Sequence, residues 1–157
     1  MDDLDATIHD VRKTIFSLQE PDDQPSGLRG EILRIVQGMS EALGYEPQLS
    51  MRGPIDSAVP PAIRPDLLAV LNEALTNVAR HAHASRTEVD VRADTDARLV
   101  SLTVTDDGRG PGPADAAGQG TVNMPSRARK LGGTSSLTRG PAGGAVLRWT
   151  VPLDPPA

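Results

Sequence analysis

A chain of 157 residues, 38% hydrophobic and 24% charged, suits one folded domain with a short extension and excludes a wholly disordered segment. Its formal charge of −5, with no run of Lys or Arg, argues against nucleic acid as the main partner, because a phosphate backbone demands clustered cations. The absence of cysteine excludes disulfides and thiolate metal sites and fits a reducing, cytoplasmic setting.

No stretch approaches the roughly 20 apolar residues of a membrane-spanning helix, and no signal peptide is recognisable at the start. With only Phe16, Tyr45 and Trp149 as aromatics, the core must be built from Leu, Ile, Val and Ala.

In chain order, residues 2–19 read as an amphipathic helix, with Leu4, Ile8, Val11, Ile15 and Leu18 on one face. Such a face needs a partner helix, so pairing in a coiled coil or bundle is expected. Residues 20–27, rich in Pro, Asp and Gly, break it off as a linker. A second helix is predicted over 28–43, carried by Leu28, Ile32, Ile35, Met39 and Leu43, with Gly44 as its stop. Residues 45–52 read as a strand that Pro47 confines to an edge or an end, and 53–65 as turns. The strongest helix is predicted over 65–83.

Two alternating strands follow, around Thr87, Val89 and Val91 and over 99–104, joined by a polar turn at 94–97. A Gly-, Asp- and Pro-rich loop, 106–120, leads to a short helix over 123–131, where Pro125 is tolerable only in the first turn. Residues 134–139 and 145–152 close the chain as a hairpin. The order helix, strand, helix, strand, strand, helix, strand, strand predicts an α/β two-layer sandwich.

Three segments carry chemistry. In NEALTNVARHAH (72–83), an ideal helix puts Glu73, Asn77, Arg80 and His81 on one stripe, and Leu67, Leu71, Ala74, Leu75 and Val78 on another. A carboxylate and an amide one turn apart suit a hard cation such as Mg²⁺, and Arg80 and His81 suit phosphate oxygens. A solvated polar face would read the same way. In VSLTVTDDGRG (100–110), a strand ends in two acids and two glycines. Asp106 can accept a hydrogen bond from an exocyclic amine, which selects adenine over guanine, while Gly108 and Gly110 let the backbone approach a ligand. Hairpins and calcium-loop fragments share that pattern. In AGQGTVNMPSRARKLGG (117–133), Gly118 and Gly120 open a helix whose free amides form an anion site. Neither a Walker loop nor a dinucleotide fingerprint is present.

Together, in this order and spacing, the three segments resemble the N, G1 and G2 boxes of the ATP-binding domain shared by histidine kinases, gyrase and MutL, the Bergerat fold. The residues 73–82, the DDGRG turn, the short segment 111–117 and the NMxxRAxxLGG pattern look like the kinase branch related to nitrate sensors, closest to actinobacterial hypoxia and dormancy sensors. Residues 2–19 are similar to the second dimerisation helix of those kinases. The resemblance implies four parts: 1–20 as the end of a dimerisation helix, 21–27 as linker, 28–153 as the ATP-binding domain and 154–157 as tail. It implies a mixed, mostly antiparallel sheet covered by helices.

By the same resemblance, Asn77 holds Mg²⁺ and Glu73 orients or deprotonates the attacking histidine. Arg80 meets phosphate, and Asp106 binds the adenine amine in a pocket shaped by Gly108 and Gly110. Gly118 and Gly120 hinge a lid over the triphosphate, with His81 and Thr121 beside the nucleotide. The implied activity is that of a protein histidine kinase: Mg-ATP donates its γ-phosphoryl group to a histidine on the dimerisation domain, for relay to a response-regulator aspartate. The implied partners are that domain and the regulator, within a homodimeric parent. His9 is not the expected acceptor, because its flanking residues differ from the family motif and the acceptor lies on the preceding helix.

Departures are Thr121, Pro125, a short lid at 111–119, and GGAV at 143–146 in place of a Gly-Thr turn. Two other readings remain: an anti-sigma-factor-type serine kinase, disfavoured by the leading helix, and a degenerate docking module without catalysis.

Overall fold

A computed structural model describes residues 27–109, 119–141 and 143–154, with backbone alone at 81–82 and 119–123. The expected dimerisation helix and His9 lie outside the described residues.

Helix α1 (Gly27–Gly38) buries Leu28, Ile32 and Val36, the fourfold spacing that brings side chains over one another on one face. The helix expected over 28–43 is interrupted at Met39, whose N–H is shared between the carbonyls of Ile35 and Val36, both at 3.2 Å. Gly38 weakens helix at this point, since glycine loses most conformational freedom. A single turn, α2 (Ser40–Leu43), resumes and ends at Gly44, whose φ of 87° supplies the left-handed stop.

Strand β1 (Gln48–Arg52) is an edge strand, as Pro47 requires, and pairs in parallel with β2 (Thr87–Asp94). The stretch expected as turns contains a one-turn helix, α3 (Ile55–Ala58), and it contributes core. Ile55, Val59 and Ile63 are fully buried. Arg64 bonds the carbonyls of Asp56 and Val59, and Arg29 bonds that of Gly53, which pins this stretch to both flanking helices.

Helix α4 (Arg64–Asn77) starts with Pro65 in its first turn, where a missing N–H costs nothing. It buries Leu67, Val70, Leu71, Ala74 and Leu75. The α-helix ends at Asn77 and continues as a π-helical turn, Val78–Ala82, closed by His83 in the left-handed region with φ 51°.

Antiparallel strands β2 and β3 (Leu99–Asp106) pair from Thr87 opposite Asp106 to Asp94 opposite Leu99. Their turn is held by Asp94 Oδ1, which accepts the N–H groups of Asp96 and Ala97 at 3.1 Å. Helix α5 (Gln119–Lys130) begins earlier than expected, so Pro125 lies inside it. A proline there costs about 3 kcal/mol. Burial of Met124, Ala128 and Leu131, with the Trp149 indole N–H on the Met124 carbonyl at 3.1 Å, offsets that cost. Strands β4 (Thr134–Arg139) and β5 (Ala145–Pro152) form the closing hairpin.

The sheet order is β1-β2-β3-β5-β4, with one parallel pair and three antiparallel ones. Strand residues alternate strictly. Val89, Val91, Val100, Leu102, Val104, Leu147, Trp149 and Val151 face the helices and are buried, while their neighbours face outward. One sheet face is therefore covered and the other open, the α/β two-layer sandwich expected from the sequence.

Candidate functional site

The site lies at the end of the sheet where β2 begins and β3 ends. Two independent directions converge there. Helix α4 runs through the π-helical turn into β2 by a short connection, so its C-terminal end sits beside Thr87, and Thr87 stands opposite Asp106. Helix α5 ends in a tight turn into β4, which starts at the opposite end of the sheet, with Thr134 opposite Thr150. At 1.5 Å per residue the 12 residues of α5 span about 18 Å, which returns its N-terminal end to the Asp106 side. The end of α4, the start of α5 and the end of β3 thus share one edge of the molecule.

Asp106 is the last residue of β3 and, by alternation, faces the helices. It is 7% exposed. The Gly108 N–H donates to its Oδ1 at 2.8 Å, and the Ala145 N–H at the start of β5 also bonds the carboxylate. Burial pushes the carboxyl above the usual carboxylate range; the two N–H donors oppose that and the Asp107 charge adds to it. A buried carboxylate held by backbone donors is an acceptor of fixed direction.

Asp107 faces away and has a different role. Its Oδ1 accepts the N–H groups of Ser85 and Arg86 at 2.8 and 2.9 Å, and its Oδ2 accepts the Ser85 hydroxyl at 2.8 Å. These bonds, the Ser85 hydroxyl first, hold its carboxyl below the usual range. They tie the chain leaving the π-helical turn to the end of β3, and so fix α4 relative to Asp106.

Residues the sequence reading missed flank Asp106. Thr87, 1% exposed, shares a 2.7 Å hydrogen bond with the Tyr45 hydroxyl. Burial raises the Tyr45 hydroxyl's pKa; the Thr87 bond opposes this, and the charges of Asp106 and Asp107 add to it. On the other side, a Cβ on Gly144 would stand 1.7 Å from the Asp106 carbonyl oxygen, so the β4–β5 turn packs directly on the strand end. The pairing of β1 with β2 decides the first contact and that of β3 with β5 the second, and neither pairing is legible in local spacing.

Glu73 and Asn77, one turn apart on α4, are both half-buried, and Glu73 Oε1 is sealed from solvent. The stripe drawn at roughly 100° per residue ends at Asn77. The π-helical turn changes the angular step, and Arg80 lies exposed within it, on a course different from the ideal helix. His81 is in the same turn, and its side chain is not described. Gly108 stands two residues beyond Asp106 and donates to it. Gly120 and Thr121 lie in the first turn of α5, while Gly110 and Gly118 fall outside the described residues.

Among the described residues no three His, Asp or Glu groups converge as a metal cluster. A lone amide such as Asn77 fits an ion that keeps most of its waters and takes other oxygens from a ligand, the habit of Mg²⁺.

Comparison with known proteins agrees with this fold. Residues 55–143 match the model of the histidine kinase-like ATPase domain. The chain is 32% identical over 126 residues to the sensor histidine kinase LnrJ of Bacillus subtilis, a match covering 80% of this chain and 30% of that protein. It is 28% identical over 148 residues to the sensor histidine kinase YxjM of the same organism, covering 93% and 35%. The chain therefore spans about a third of the curated relatives it matches. Among solved structures, the histidine kinase domain of a blue-light activated kinase from Erythrobacter litoralis superposes with a TM-score of 0.63 at 24% identity, covering 83% of this chain and 63% of that one. The ATP-binding domain of PrrB from Mycobacterium tuberculosis gives 0.56 at 21%, covering 87% and 100%. With the motif residues, the sheet order and the family match in agreement, this chain belongs to the histidine kinase-like ATPase domain family.

Proposed function

We propose that the chain binds Mg-ATP at this edge and serves as the nucleotide module of a sensor histidine kinase. In this reading Asp106 accepts the adenine amine, Gly108 and Gly110 leave room for the base, and Asn77 holds the cation. Arg80, His81 and Thr121 serve the phosphates together with the start of α5, where helix amides favour anions, and Gly118 and Gly120 hinge a lid over them. Bound Mg²⁺ supplies charge neutralisation over the phosphates. Glu73 orients or deprotonates the histidine that attacks the γ-phosphoryl group. That histidine belongs to a dimerisation domain, and the group passes on to a response-regulator aspartate.

The observation that carries the reading is the burial of Asp106 at a strand end, aimed by two backbone N–H donors, on the same edge as Asn77. The relatedness to nitrate-sensor-type kinases, the homodimeric parent and a cytoplasmic location belong to the same proposal. No helix among the described residues is long and apolar enough to cross a membrane.

Calorimetric titration with a non-hydrolysable ATP analogue tests the reading. Saturable binding that strengthens with Mg²⁺ supports it; absence of binding to the folded chain, with and without Mg²⁺, sinks it.

A further inference from the structure

At the end of the helix layer away from Asp106, one buried carboxylate joins α4 to α5. Asp66, in the first turn of α4, has a side chain only 7% exposed. Its Oδ1 accepts Arg127 Nη1 at 2.7 Å and Lys130 Nζ at 3.1 Å, both from the last turn of α5. Arg127 is partly withdrawn from water, with its Nε fully sealed from solvent.

A buried carboxylate paired with partly exposed cations is a poor device for stability alone, because desolvating Asp66 offsets much of the attraction. What it does supply is register, since only one sliding position of the two helices brings both cations onto one oxygen. Here the register matters at a distance. Asn77 lies 11 residues beyond Asp66 on α4, about 16 Å at 1.5 Å per residue, and the start of α5 at Gln119 lies 8 residues before Arg127, about 12 Å. The two helices are tied together at one end, and their far ends, that of α4 also held to β3 through Asp107, carry the cation-holding amide and the phosphate-facing amides of the proposed site.

We propose that Asp66, Arg127 and Lys130 form a positioning latch that sets the spacing between Asn77 and the start of α5, and so tunes affinity for the phosphates rather than for the base. The inference rests on the nucleotide-binding reading above. Adenine recognition belongs to Asp106 on β3, which the latch does not touch, so loosening the latch separates the two halves of the ligand energetically.

The experiment compares the Kd of adenosine with that of the Mg-bound, non-hydrolysable ATP analogue for the full chain and its Arg127→Met and Asp66→Asn variants. The expected result is a fall of at least about fivefold in the preference for the ATP analogue over adenosine, the lower end of coupling between sites, with adenosine affinity held within about twofold. Arg127→Lys, which keeps a cation against Asp66, restores most of the preference. Lys130→Gln changes an exposed residue and serves where a buried change prevents folding; it lowers the preference less.

If folded variants keep the wild-type ratio, or lose both ligands equally, the latch has no positioning role. If the wild-type chain binds neither ligand, the nucleotide-binding reading itself fails first.

Discussion

Asp106 and Asp107 are adjacent in sequence and point to opposite sides of the end of β3. Asp106 is buried toward the helices with its carboxyl raised by desolvation, while Asp107 is exposed and held low by the Ser85 hydroxyl and by the Ser85 and Arg86 amides. The pleat sends successive side chains to opposite faces, so a doubled acid divides into one buried acceptor facing the helices and one clamp on the neighbouring chain.

Asp106→Asn is expected to lower affinity for the ATP analogue by at least about tenfold, with the fold intact by circular dichroism. The N–H donors of Gly108 and Ala145 draw the single amide oxygen toward themselves, which turns the NH₂ toward an adenine amine that is itself a donor. Unchanged titrations would count against Asp106 as the base-recognising group.

Acidification gives a second handle on the same carboxyl. Because its folded pKa is raised, Asp106 favours the protonated native state below the unfolded value, and that contribution is lost as pH rises through the folded pKa. Binding runs the other way: the ionised form is the acceptor, so affinity falls on acidification, starting above the usual carboxylate range. Calorimetry across a pH series checks this, and Asp106→Asn should flatten the profile.

Asp107→Ala is expected to lower the melting temperature at neutral pH, because it removes an acceptor from three donors. The folded pKa of Asp107 is depressed, so its contribution is present above the unfolded value and disappears as pH falls through the folded one. Thermal melts at neutral and acidic pH should therefore converge for wild type and variant.

Gly144→Ala introduces a Cβ that must push the β4–β5 turn off the strand end, since it meets the Asp106 carbonyl oxygen at 1.7 Å and Oδ1 at 2.8 Å. Overpacking of this kind costs about 1–3 kcal/mol. Denaturant titration measures that loss, and nucleotide affinity should fall with it because the Ala145 N–H moves away from Asp106.

Trp149→Phe removes the donor to the Met124 carbonyl at a fully buried position. The Met124 carbonyl keeps its place in the helical ladder of α5, so the lost hydrogen bond costs about 0.5–1.5 kcal/mol, and the void left by the smaller ring adds to that, read from chemical denaturation followed by circular dichroism. An unchanged stability would mean that the indole N–H adds nothing to the packing of α5 on β5.

Much of the architecture could be read from the chain alone. Alternation in 87–91 and 99–104 marked β2 and β3, Pro47 marked the edge of β1, and the Gly44 and Pro65 signals marked helix ends, because these depend on side-chain period and local backbone preference. The DDGRG and helix motifs marked Asp106, Glu73 and Asn77 as chemistry-bearing.

Tertiary structure decided the rest. The core role of Ile55, Val59 and Ile63 inside an apparent turn, the early start of α5 through Pro125 and the π-helical departure at Val78 reflect packing that overrides local preference. The Tyr45–Thr87 bond, the Gly144 contact and the Asp66–Arg127 pair join residues 42, 38 and 61 positions apart. Strand register and helix direction create those contacts, and both are settled by burying one shared face rather than by any single segment's sequence.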